Sequence, residues 1–132
     1  MFVKHNNNPK QKKTSDCVIR SFALASGKTW DQTFVDLCEI ALRDKSVPND
    51  NSIYSKYATQ LGLTKMKIEL TNGKKPTVLT FSETHKHGTY VLRIANHVVT
   101  VKDGCYYDTW DCGKKSVYMY WKVNQKGSGV SE

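Results

Sequence analysis

No stretch of the chain holds the ~18 consecutive apolar residues that crossing a bilayer requires, and the polar, basic start from Met1 to Lys13 lacks the apolar segment of a secretory signal. Both absences point to a cytoplasmic protein. The four cysteines, Cys17, Cys38, Cys105 and Cys112, include no C-x-x-C pair, which argues against a zinc ribbon or a thioredoxin-type site. Free thiols are the expectation in that compartment. No internal repeat is visible, and no RNP, helix-turn-helix or zinc-finger pattern supports nucleic-acid recognition. Acidic residues are scarce, with 12 against 20 lysines and arginines and a net charge of +8. Such a surface favours anionic partners, whether anionic polymers or acidic protein faces. Nothing in the sequence implies a cofactor, a resident metal or a membrane partner.

What is present fits one domain of 132 residues. Residues 1–14 read as a flexible basic arm, with turn chemistry at Asn6-Asn7-Asn8-Pro9 and lysines at 4, 10, 12 and 13. Ser15 or Asp16 is placed to cap a helix over about 16–26, which Gly27 ends. Thr29 caps a second helix running to about Arg43, whose spacing suggests an inward face of Trp30, Phe34, Leu37, Cys38 and Leu42. A third helix is expected over about 52–61. Met66, Ile68 and Leu70 then alternate with Lys65, Lys67 and Glu69 as a half-buried strand. The segment from Pro76 to about Thr84 suits a short helix, with a strand over 77–81 as the alternative.

From Thr89 the pattern is β: 90–95, 97–101, 105–108 and 117–123, with Asp103-Gly104 the strongest hairpin signal. The domain is expected to span 15–123, followed by a flexible tail over 124–132. Helices first and strands second is α+β order, with N-terminal helices packed on a C-terminal antiparallel sheet.

Cys17 stands where the polar loop ends and the apolar helical pattern begins. The partial positive charge at a helix N-terminus favours an anion, and for cysteine that anion is the reactive thiolate. A cysteine nucleophile also needs a base and a group to orient that base. His97 opens an apolar strand, and Asp108 ends the partner strand across the Asp103-Gly104 hairpin, a few residues off direct register. Asp111 is the competing orienter. His5 lies in the arm, and His85 and His87 form an H-x-H pair in a lysine-rich turn with no clear third metal ligand. Cys38 reads as a core residue.

Gln11…Asp16-Cys17 at a helix start, His97-Val-Val-Thr-Val on a strand and Tyr107-Asp108 at a strand end together resemble the papain-like cysteine peptidases. The likeness is greatest to the bacteriocin-leader-processing branch and to small phage or bacterial proteins of that type. It rests on ordered landmarks over about 11–110. Val18 stands where that branch usually has glycine after the cysteine, and Thr109 where proline often follows the orienting residue.

The resemblance implies a papain-like fold and a hydrolase acting on a protein or peptide substrate. Cys17 would be the nucleophile, His97 the base and Asp108 the orienter. Gln11, six residues before the cysteine, would donate its amide to the oxyanion beside the backbone N–H of Cys17. Losing one such donor typically costs ~10²–10³ in rate. The rival readings are a peptidoglycan amidase or endopeptidase, which the basic charge would suit, and a non-catalytic interaction protein that keeps the same shell.

Overall fold

A computed structural model describes residues 1–124. Four helices and six strands alternate as β1 (Phe2–Lys4), α1 (Cys17–Ser26), α2 (Trp30–Asp44), α3 (Asn51–Gln60), β2 (Thr64–Lys67), α4 (Val78–Thr84), β3 (Thr89–Ile94), β4 (His97–Lys102), β5 (Cys105–Asp108) and β6 (Met119–Lys122). The α+β class follows directly. None of these helices is long and apolar enough to cross a membrane. Asn124, the first residue of the expected tail, is instead held, donating to the Gly62 carbonyl and accepting from the Thr64 hydroxyl; the rest of that tail, 125–132, lies outside the described residues.

The six strands form one sheet in the order β1-β5-β4-β3-β6-β2. Its centre is antiparallel: β3 pairs with β4 and β6, and β4 with β5. The expectation of a purely antiparallel sheet needs correction at one edge, where β1 runs parallel to β5 and pairs Phe2 with Tyr106 and Lys4 with Asp108. The arm therefore begins as a strand rather than as irregular chain. Phe2 packs against the ring of Tyr106 at 5.6 Å, and the amino terminus donates to the Gly104 carbonyl. A short run of alternating size next to a lysine carries little periodicity, so this strand was not legible locally.

Both faces of the central strands are covered. Helices α1, α2 and α3 bury Phe22, Leu37, Ile40, Ile53 and Tyr57 against Val91, Val98 and Trp121. On the opposite face α4 buries Val78 and Phe81 with Leu92, Ile94, Val99, Val101 and Tyr106. This double coverage explains why Val98-Val99-Thr100-Val101 is an unbroken buried run instead of an in–out alternation. The short helix formed over 78–84, with Thr77 accepting from the Thr80 N–H as its cap.

Two sequence expectations shift by a face or a length. In α2 the buried residues are Thr33, Leu37, Ile40 and Ala41, whereas Phe34 and Leu42 are exposed. Phe34 instead stacks on Trp30, centroids 5.3 Å apart. Both stripes have helical spacing, and Thr33 was passed over as polar although its hydroxyl is satisfied by the Thr29 carbonyl. In β2 the pairing stops at Lys67, so Leu70 faces solvent.

The hairpins fix the positions of the site residues. Asp103 and Gly104 both have positive φ, 50° and 83°, the geometry of a two-residue turn matched to strand twist. Ala95 and Asn96 turn between Ile94 and His97, which are cross-strand partners. Asn96 takes φ 52°, a conformation asparagine tolerates. His97 is thus the first residue of a strand held on both sides.

Candidate active site

Asp16 precedes α1 but does not cap it with its side chain. Its carboxylate is buried and receives three donors instead: Arg20 Nε at 2.8 Å, Trp30 Nε1 at 3.0 Å and Asn8 Nδ2 at 3.2 Å. The backbone N–H groups of the first turn are left without a side-chain acceptor. Cys17 opens that turn, half-buried, at the positive pole of the helix. Helix α1 is fastened over β4 by two bonds: Ser21 Oγ donates to the Val98 carbonyl, and Thr100 Oγ1 donates to the Ser21 carbonyl at 2.7 Å. This clamp sets Cys17 beside His97.

His97 Nε2 lies 2.5 Å from Asp108 Oδ2. That contact leaves Nδ1 as the ring nitrogen open towards Cys17, which lines the same cleft. The β4–β5 ladder pairs Thr100 with Tyr107 and goes no further. Continued by one step, it would set Asp108 opposite Val99, making His97 its diagonal neighbour. Side chains of this length span a diagonal, so the offset closes without a bulge.

The charges reinforce one another. Burial of the Cys17 thiol works to raise its pKa, but the hydrogen bond and positive charge of His97, the Val98 backbone and Arg20 outweigh burial, and the net shift is downward. Burial likewise opposes protonation of His97. Its bonds and charge interactions with Asp108 and Cys17 prevail and raise it to about 9. Asp108 is fully buried, a condition that favours the neutral acid, yet His97, the Thr109 N–H and Cys112 hold it below the usual carboxylate range. The arrangement favours a thiolate–imidazolium pair backed by a carboxylate.

His97 and Asp108 thus touch, and Cys17 lines the same cleft as His97. Asp111 does not join them: it accepts from the Tyr106 hydroxyl at 2.6 Å and the Gly113 N–H at 2.9 Å. Gln11 is the expected site residue that the structure places elsewhere. Its Nε2 donates to the Asn6 carbonyl at 2.8 Å and the Asn8 carbonyl at 3.1 Å. The cause is the turn through Pro9 and Lys10, closed by Gln11 N–H to Asn8 O, which brings Gln11 to φ 53° and folds its amide back into its own loop. Gln11 does not line the cleft at Cys17. His85 stacks on Phe81 with centroids 3.7 Å apart and bonds the Phe81 carbonyl, a packing role. Cys38 is half-buried rather than a core residue.

Sequence reasoning missed five neighbours. Arg20 links Asp16 to Asp108, reaching Asp108 Oδ1 at 3.2 Å; the Asp16/Arg20 spacing of four on a helix was the available signal. Trp110 lies over the His97 ring, centroids 5.0 Å apart. Cys112 donates its S–H to Asp108 Oδ2 at 3.3 Å, and burial pushes that thiol's pKa up strongly. Tyr54 and Arg93 line the cleft itself. These residues are brought in by tertiary packing, which local pattern does not encode.

The cleft measures about 890 Å³ and is lined by Cys17 and His97 together with Lys12, Lys13, Tyr54, Arg93 and Trp110 among others. His97, Asp108 and Cys112 bring one metal-ligand atom each within 4.8 Å of one another. Two of those atoms are already bonded to each other, so a metal there would replace the His97–Asp108 bond. No family model, no curated protein and no solved structure matches the chain.

Proposed function

We propose that the protein is a cysteine peptidase, or a related thiol-dependent acyl-transfer hydrolase, with a papain-like arrangement of Cys17, His97 and Asp108. The observation that carries this reading is that Cys17 and His97 line one open cleft, with Asp108 buried behind and bonded to His97, the thiol pKa lowered and the imidazole pKa raised. A merely structural cysteine would have no reason to be paired with a charged imidazole.

In the proposed reaction His97 Nδ1 holds the proton of Cys17. The thiolate attacks an acyl carbon, forming a C–S bond while the carbonyl electrons move to oxygen. The backbone N–H of Cys17, unpaired as the first in its helix, donates to that oxyanion. The tetrahedral species collapses, and His97 delivers its proton to the leaving amine. Water, deprotonated by His97, then attacks the thioester and releases the acid with the thiol regenerated. Asp108 holds the ring and offsets its charge throughout, and Trp110 packs against the ring.

The test is alkylation with iodoacetamide at pH 6.5, followed by mass spectrometry of the modified residue. Cys17 is expected to react faster than Cys38, Cys105 and Cys112, and His97→Ala to slow it about tenfold or more, since an ordinary thiol is only a few per cent thiolate near neutrality. Equal rates in the wild type and His97→Ala would sink the proposal.

A further inference from the structure

The cleft has an unusual charge balance. Among the described residues its Lys and Arg cations are Lys12, Lys13, Arg20 and Arg93, and its one carboxylate is that of Asp16. Asp16 is already spent, because it is buried and bonded to Arg20, Trp30 and Asn8. Arg20 is spent with it, on Asp16 and Asp108. Lys12, Lys13 and Arg93 form no ion pair among the described residues.

Arg93 is the informative member. It projects from β3, the strand whose last residue is cross-strand partner to His97. The guanidinium rests on the Tyr118 ring at 5.7 Å. Its Nε is buried and bonds to nothing among the described residues, although buried donors are nearly always satisfied. Its charge also acts on the hydroxyl of Tyr54, which in turn feels Cys17. An arginine held by an aromatic ring, in no ion pair among the described residues and lining the same cleft as Cys17 is suited to bind a carboxylate through its Nη groups.

From these observations we infer that the cleft selects an acidic polypeptide segment, with a substrate carboxylate seated on Arg93 and further acidic groups steered by Lys12 and Lys13. The inference rests on the thiol acyl-transfer reading, and that chemistry chooses between anions. A thiolate needs an acyl carbon, which a polypeptide offers at every residue and a nucleic acid backbone does not. Tyr54 and Trp110 add apolar walls that suit side chains.

The experiment uses the full chain carrying Cys17→Ala, which keeps the cleft but removes turnover. Two peptides of equal length, one glutamate-rich and one with glutamine at the same positions, are titrated at low salt by fluorescence anisotropy. The glutamate peptide is expected to bind at least tenfold tighter. Arg93→Gln should remove most of that preference, Arg93→Lys should restore part of it, and Lys12→Gln with Lys13→Gln should weaken binding and flatten its salt dependence. Lys12 and Lys13 are exposed, so their variants keep the test decisive if Arg93→Gln fails to fold.

Equal affinity for the two peptides would overturn the inference, as would an Arg93→Gln protein, folded by its thermal midpoint, that keeps the full preference. Tighter binding of a single-stranded oligonucleotide, weakened by the same substitutions, would overturn the polypeptide assignment. The failure of the underlying reading looks different: it shows as an unreactive Cys17 in the wild-type chain, whatever the peptides do.

Discussion

His97 and Asp108 touch, ring nitrogen to carboxylate oxygen at 2.5 Å, although they stand on strands whose ladder stops short of both. The contact makes Asp108 responsible for the direction of the ring and for part of its raised pKa. Asp108→Ala removes both effects. Alkylation of Cys17 at pH 6.5 is expected to fall about tenfold, because a ring without that support no longer holds the thiol's pKa down. Asp108→Asn keeps an oxygen that can accept from Nε2, so it should retain more reactivity than the alanine variant. The reverse order of the two variants would show that the carboxylate does not act through His97.

Beneath that pair lies a stability requirement. Among the described residues Arg20 is the one cation bonded to both Asp16 and Asp108, and those carboxylates are 3% and 0% exposed. Removing one member of such a group leaves buried charge without compensation, at a cost of about 3–5 kcal/mol. Arg20→Met is therefore expected to lower the denaturant midpoint by a corresponding amount at pH 7. A change below about 1 kcal/mol would mean that the two carboxylates are satisfied without it.

How much of this could be read in the chain depends on the range of the interaction. The place of Cys17 at the start of α1 was legible because a helix start is a local feature: Asp16-Cys17 and the apolar residues after it are contiguous. The His97–Asp108 pair was legible because the Asp103-Gly104 turn sets the approximate register of two strands without further information. Gln11 was misplaced because spacing to Cys17 says nothing about which way a turn folds its amide, and here Asn8-Pro9-Lys10 directs it inward to the loop. Trp110 and Arg93 come from separate strands and loops, and only packing joins them to the site. The same reason hid β1, whose partner is more than a hundred residues away in sequence.

The thiol and the imidazole also leave a signature in stability against pH. His97 is raised from 6.5 to about 9, so its contribution is complete below pH 6.5 and is lost as pH rises through about 9. Cys17 is lowered from 9.0, so its contribution is complete above pH 9 and is lost as pH falls through its folded value. The two slopes oppose each other between those limits, since the proton that leaves sulfur is carried by the ring. Cys17→Ala removes one slope and keeps the other, because Asp108 still holds His97 up. The difference in thermal midpoint, variant minus wild type, is expected to become more negative from pH 6.5 to 9. A difference that stays constant over that interval would mean that the thiol and ring are not coupled.

Gln11 gives the sharpest contrast between what spacing suggests and what the fold does. If its amide served the oxyanion, Gln11→Ala would cost ~10²–10³ in turnover. The amide is instead bonded to the Asn6 and Asn8 carbonyls, and the loop it braces carries Asn8, a donor to Asp16. The substitution is then expected to loosen residues 6–11, cost less than tenfold in peptide turnover and leave the alkylation rate of Cys17 nearly unchanged. Faster limited proteolysis between Asn6 and Lys13 would accompany it. A loss of two or more orders of magnitude in turnover, with proteolysis unchanged, would assign the amide to the transition state and require the loop to reorganise when substrate binds.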